Sequence, residues 1–179
     1  MAIVICASIA TGKSSVSSNE RYAGRVAEIE MSTYKKILTD EQKKMCPEEL
    51  KSVKAPINPN WEQEYFAAIE DAASDPNIDY VLVAKENAVD LCQAKGIEYW
   101  RAYPALDCKQ EYLERCKGRG NKGDFIKLLE ENWEELHRAF STDEKASRHV
   151  ELGKGQVLLH ALDEYEASKK KVDGTEAGI

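Results

Sequence analysis

Residues 2–15, AIVICASIATGKSS, run an unbroken apolar segment directly into a glycine, a lysine and two hydroxyls. An apolar run without polar alternation fits a central strand of a parallel sheet, covered on both faces. A Gly-Lys-Ser immediately after such a strand predicts a tight loop and the start of a helix. Ala7-Ser8-Ile9-Ala10-Thr11-Gly12-Lys13-Ser14 matches the phosphate-binding P-loop, G-x-x-x-x-G-K-[ST], at every position but the first. Such a loop works because successive backbone N–H groups and a helix N-terminus surround phosphate oxygens. Lysine adds a point charge, and the next hydroxyl ligates Mg²⁺.

Alanine at position 7 departs from the pattern, since glycine there lets the chain leave the strand in conformations costly to other residues. With average residue usage, a chain of this length matches the relaxed pattern by chance roughly once in a hundred. Its placement between a buried-type strand and a helix lowers that further. The residues expected to contact a nucleotide are Ala10, Thr11, Gly12, Lys13, Ser14 and Ser15, with Ser14 as the metal ligand.

Downstream, strand and helix alternate. Strands are expected at 25–31, 78–84, 97–103 and 147–152, and helices at 13–22, 34–53, 61–73, 87–95, 108–120 and 123–140, with Pro47 starting a new turn or helix within 34–53. Asn60 and Asp107 are candidate caps, and Gly96 is a candidate helix terminator. A last helix follows Gly153 and Gly155, and the polar segment 164–179 is expected to fray. The alternation predicts an α/β fold with a five-stranded parallel sheet and helices on both faces, in one domain over 1–163. Ligands of such sheets bind beyond the carboxyl ends of the strands.

The net charge of -7 argues against a general binder of nucleic-acid polymers. Five cysteines, odd in number and without a C-x-x-C pair, suit reduced thiols in a cytoplasmic protein rather than a zinc site. No segment has the length and apolarity of a membrane span.

The chain carries no N-K-x-D-type base reader, which a regulatory GTPase would need, and its "YVLVAKEN" strand ends in Lys85-Glu86 rather than a simple acid. A short chain with a P-loop at its start and an arginine-bearing segment before its last strand fits a small-molecule kinase. Arg115 and Arg119, four residues apart, share a helix face, and Gly118 and Gly120 make the end of that segment hinge-like. The segment 104–123 is therefore a candidate lid, with Arg115 and Arg119 closing over the phosphoryl group. The competing reading is a solvated basic face interleaved with Glu111 and Glu114.

The stretch YPALDCKQEYLERCKGRGNKGDFIKLLEENW (103–133), with the upstream loop and GIEYWRAYP, resembles phage and bacterial P-loop nucleoside or nucleotide kinase-like proteins, which are similar to nucleoside monophosphate kinases. The resemblance covers roughly residues 2–160. It implies a three-layer fold, ATP with Mg²⁺, and a nucleoside or nucleotide acceptor. It also implies that Leu152 to Gly155 lie beside the adenine. Strand two ends in EIEMST, where such proteins tend to carry an Asp-Ser-type signature. Glu30 is the candidate acceptor base or Mg²⁺-water ligand there, with Ser32 and Arg101 near the acceptor. An exposed strand glutamate is the plain alternative for Glu30. The function expected is phosphoryl transfer from ATP to a nucleoside or nucleoside monophosphate. The alternatives are a nucleotide-binding sensor that lost its acceptor chemistry, and a small ATPase.

Overall fold

The computed structural model describes residues 1–45, 47–84 and 87–176. Five strands, β1 (Ile3–Ala7), β2 (Val26–Ile29), β3 (Tyr80–Val83), β4 (Tyr99–Pro104) and β5 (Arg148–Leu152), form one sheet in the order β2-β3-β1-β4-β5. Every pairing is parallel. All strand C-termini therefore meet one edge of the sheet, with β1 at its centre.

The helices are α1 (Lys13–Ser17), α2 (Met31–Lys35), α3 (Pro47–Ser52), α4 (Trp61–Ser74), α5 (Asn87–Lys95), α6 (Lys109–Gly118), α7 (Gly123–Glu131), α8 (Trp133–Ser141) and α9 (Leu158–Glu176). Alternate residues of each strand feed opposite layers. Val4, Cys6, Val81, Val83 and Tyr99 pack with Tyr65 and Ile69 of α4 and Cys92 of α5. Ile5, Ala7, Leu82 and Trp100 pack instead with Val16 of α1 and Leu158 and Leu162 of α9. The result is the three-layer α/β arrangement expected from the alternation. Trp61, Tyr65 and Phe66 belong to the first layer's aromatic packing.

Four local expectations change. The helical stretch expected over 34–53 is interrupted well before Pro47: α2 ends at Lys35 and Lys36 bridges Ile57 in extended conformation, while α3 starts at Pro47, where the proline places it. The Lys36 ammonium donates to the carbonyls of Leu50 (2.7 Å) and Val53 (2.6 Å), satisfying groups at the end of α3. The expected 123–140 helix breaks at Asn132, whose side chain donates to the Leu128 carbonyl at 2.8 Å. Asn60 makes no side-chain cap, and the Asp107 carboxylate accepts from the Cys108 thiol instead of capping α6. Finally, 164–176 continues α9 rather than fraying. Tyr165 meets Trp100 edge-on at 4.7 Å, and Glu166 accepts from the Tyr80 hydroxyl and from Arg25, tying that helix to the sheet.

Candidate functional site

At the carboxyl edge of β1 the chain turns through Ser8–Gly12 into α1. Ala7 is the last residue of β1, paired with Ala102, and is not left-handed; positive φ falls instead on Ala10 (58°) and Gly12 (85°). The glycine missing from position 7 is therefore not needed for the exit from the strand. Gly12 is needed. Its φ disfavours any side chain, and a Cβ there would stand 2.9 Å from Cβ of Val157. The Thr11 hydroxyl donates to the Ser8 carbonyl at 2.8 Å, and the Thr11 carbonyl accepts from the Leu158 N–H at 2.8 Å, pinning the loop internally and to the start of α9.

Lys13 opens α1 and is 8 % exposed, an unusual state for an ammonium. Burial lowers its pKa and the charge of Arg119 adds to that, against the opposing attraction of Glu30 and Glu28. Ser14 follows on α1, and its hydroxyl donates to Glu28 at 3.2 Å. Ser17 donates to the other oxygen of the same carboxylate at 2.6 Å. Ser15 donates its N–H to the Gly12 carbonyl at 3.1 Å and its side chain is exposed.

Glu28 is the residue sequence reasoning missed. Glutamate in a four-residue strand carries no local mark. The β2–β3 register, with Glu28 opposite Leu82, carries it to α1. Glu30 caps the strand two residues on, at the N-terminus of α2. Burial raises its pKa; Lys13 and Arg119 pull it down, while Glu28 pushes it up. The expected exposed-glutamate alternative does not describe this carboxyl, which is half-buried among charged neighbours. Ser32 lies half-buried within α2.

Lys13, Ser14, Glu28, Glu30 and Arg119 are thus brought together from β2, the P-loop and the end of α6. Two other expected residues are not. Arg101, expected beside an acceptor, is 1 % exposed. Its guanidinium stacks 3.9 Å from the Phe140 ring and lies 3.6 Å from Asp143, under α8. Arg115 is taken up by other partners: it donates to the Ala10 carbonyl (3.4 Å), to the Gln156 carbonyl (3.0 Å) and to Glu111, with its guanidinium over the Tyr112 ring. The segment expected as a lid, 104–123, contains α6 and rests on Ala10, Ile126, Leu129 and Trp133. Lys85-Glu86, at the end of β3, lies outside the described residues.

A groove of about 400 Å³ between β5 and α9, lined in part by Trp100, Arg148, Glu151 and Tyr165, is separate from this constellation. The histidines serve local contacts: His137 with Glu151, His149 with the Asp143 carbonyl, and His160 with the Val157 N–H. Among the described residues, no group of three or more His, Cys, Asp or Glu side chains is gathered for a metal. Among them, too, no helix is long and apolar enough to cross a membrane.

No protein-family model and no curated protein matches the chain. Among solved structures, it is similar to a gluconokinase from Sinorhizobium meliloti 1021, with 18% identity, a TM-score of 0.53, and coverage of 98% of this chain and 95% of that one. It is also similar to an uncharacterized protein from Eubacterium ventriosum ATCC 27560, with 12% identity, a TM-score of 0.53, and coverage of 96% and 98%. The likeness is one of fold.

Proposed function

We propose that the chain is an ATP-dependent phosphotransferase whose acceptor is a nucleoside or a nucleoside monophosphate. The observation that carries this reading is the convergence of Lys13, Ser14, Glu28, Glu30 and Arg119 at the carboxyl edge of the sheet. Lys13 and the N–H groups of 10–15 would hold the β- and γ-phosphates, whose charge restores the favourable ammonium state that burial opposes.

The hydroxyl of Ser14 and the carboxylate of Glu28 are hard oxygen donors and fit Mg²⁺, which keeps several waters and binds through one or two carboxylates plus substrate phosphates. Such an ion, when bound, supplies neutralising charge at the phosphates. Arg119 faces the same region from α6 and would stabilise charge on the transferred group. With a nucleoside acceptor, the new O–P bond forms as the bond to the ADP oxygen breaks, and the hydroxyl proton passes to Glu30. With a monophosphate acceptor the attacking oxygen is already deprotonated, and Glu30 serves only to orient. Catalysis is then positioning and charge stabilisation. We place the protein in the cytoplasm, where Cys6, Cys92, Cys108 and Cys116 stay as thiols outside any disulfide.

The test is incubation with Mg-ATP and a panel of ribo- and deoxynucleosides and their monophosphates. Gluconate joins the panel because one similar structure is a gluconokinase. Acceptor-dependent ADP formation that disappears in Lys13→Ala supports the kinase and names its acceptor. ATP binding with no transfer to any acceptor would replace this reading with the sensor.

A further inference from the structure

The nucleotide reading leaves one question that the geometry addresses: which residues position the part of the ligand that is not phosphate. Phosphates seated on the loop have two flanks. Toward β2 stand the carboxylates of Glu28 and Glu30, the side suited to a cation and an acceptor. The opposite flank is built by 153–157 and α6. Val157 lies against Gly12, and the Leu158 N–H donates to Thr11 at 2.8 Å. With carboxylates on the β2 side, this second flank is the one open in chemical character to a sugar and base leaving the other end of the phosphate chain.

That flank is held by one ion pair. The Glu111 carboxylate accepts from the Gly155 N–H with both oxygens at 3.1 Å and from the Arg115 guanidinium. Arg115 reaches in two further directions, to the Gln156 carbonyl at 3.0 Å and the Ala10 carbonyl at 3.4 Å. Gly155 has φ 73° and Ala10 has φ 58°, so the pair grips both loops at left-handed residues, the second an alanine for which that conformation is strained.

We infer that Glu111 and Arg115 are positioning residues for the base-side wall of the nucleotide site, fastening the 153–157 loop to the P-loop. The inference rests on the P-loop being a nucleotide site. It assigns Arg115 a different task from phosphoryl closure. Without Glu111, the Gly155 N–H is released from α6, while Arg115 still meets the Ala10 carbonyl and Thr11 keeps its bonds to Ser8 and Leu158, so the amides and lysine that meet phosphate stay in place.

The experiment compares the affinity of ATP with that of inorganic tripolyphosphate, which has the phosphate chain and no base, by calorimetry on the full chain. Glu111→Ala is expected to raise the Kd for ATP about tenfold, the scale of one lost charge-assisted contact, and to change that for tripolyphosphate less than about twofold. Glu111→Gln keeps an acceptor for Gly155 and should fall between. Near-ultraviolet circular dichroism confirms that each variant is folded; if Glu111→Ala does not fold, Glu111→Gln carries the comparison. Equal weakening of both ligands, or unchanged ATP affinity, would overturn the assignment and leave the nucleotide site standing. Wild-type protein that binds neither ligand would overturn the nucleotide site and the inference with it.

Discussion

Ser14 donates its hydroxyl to one oxygen of Glu28 at 3.2 Å, and Ser17 donates to the other at 2.6 Å. The P-loop hydroxyl thus meets its carboxylate from β2, two strands away from β1 in the sheet. If this pair holds the cation, Mg²⁺ should tighten ATP binding about tenfold in the wild type, and less than about twofold in Glu28→Ala, at one charge-assisted contact's worth. Titrations with Mg²⁺ and with EDTA measure both. An undiminished Mg²⁺ effect in the variant would remove Glu28 from the site.

Lys13 is buried against its own preference, so replacing it separates folding from binding. Lys13→Ala should leave the melting temperature unchanged or raised, because burial disfavours the ammonium and the substitution removes that cost. ATP affinity should fall about 10- to 100-fold, the range for lost charged hydrogen bonds. Calorimetric melting and ligand titration on one preparation check the pair of outcomes. A large loss of stability would mean that the ammonium supports the apo fold.

Glu30 gives a pH signature with a definite sign. Burial lifts its folded-state pKa above the ordinary 4.5, so the folded protein holds a proton that the unfolded chain releases. Its contribution to stability is complete below the ordinary value and declines as pH rises through the folded value. Glu30→Gln, which cannot ionise, should gain stability relative to wild type between pH 4 and pH 8. Denaturant melts at several pH values read the difference. A constant offset would show that Glu30 ionises normally.

Arg101 should behave as part of the core. Arg101→Ala strands Asp143, whose side chain is 13 % exposed, and removes the stack on Phe140. Breaking a buried pair from one side costs about 3–5 kcal/mol; the Tyr99 hydroxyl still donates to Asp143, which favours the lower end. ATP affinity of the folded fraction should not change. Urea melts and a titration decide, and a specific loss of acceptor use at unchanged stability would return Arg101 to the acceptor site.

The part of this site that was legible as a motif is contiguous, whereas Glu30 and Arg119 were expected from their places after strand two and before the last strand. Gly12, Lys13 and Ser14 stand beside one another because a phosphate cradle needs consecutive amides, and their order survives as a pattern. Glu28 was not legible, since only the β2–β3 register brings it to Ser14. Arg101 was misplaced for a related reason. It lies in the middle of β4 and shares a face with Tyr99 and Tyr103, the face that α8 covers. Periodicity likewise suggested a helix running from Tyr34 up to Pro47, where the Lys36–Ile57 bridge interrupts it. A pairing partner twenty-one residues away leaves no trace in a local window.

The Thr11 carbonyl is met by the N–H of Leu158, and the Ala10 carbonyl by Arg115 across 105 positions of chain. The first fifteen residues spell out a phosphate cradle yet cannot close it alone. Loop closure over such separations is slow compared with local helix formation. On a ribosome, β1 and its loop emerge before β3, β4 and α9, and the apolar strand stays unpaired until those elements have been made. Over that interval the nascent chain is exposed to misassociation, and the cradle closes only once β5 and the start of α9 have followed.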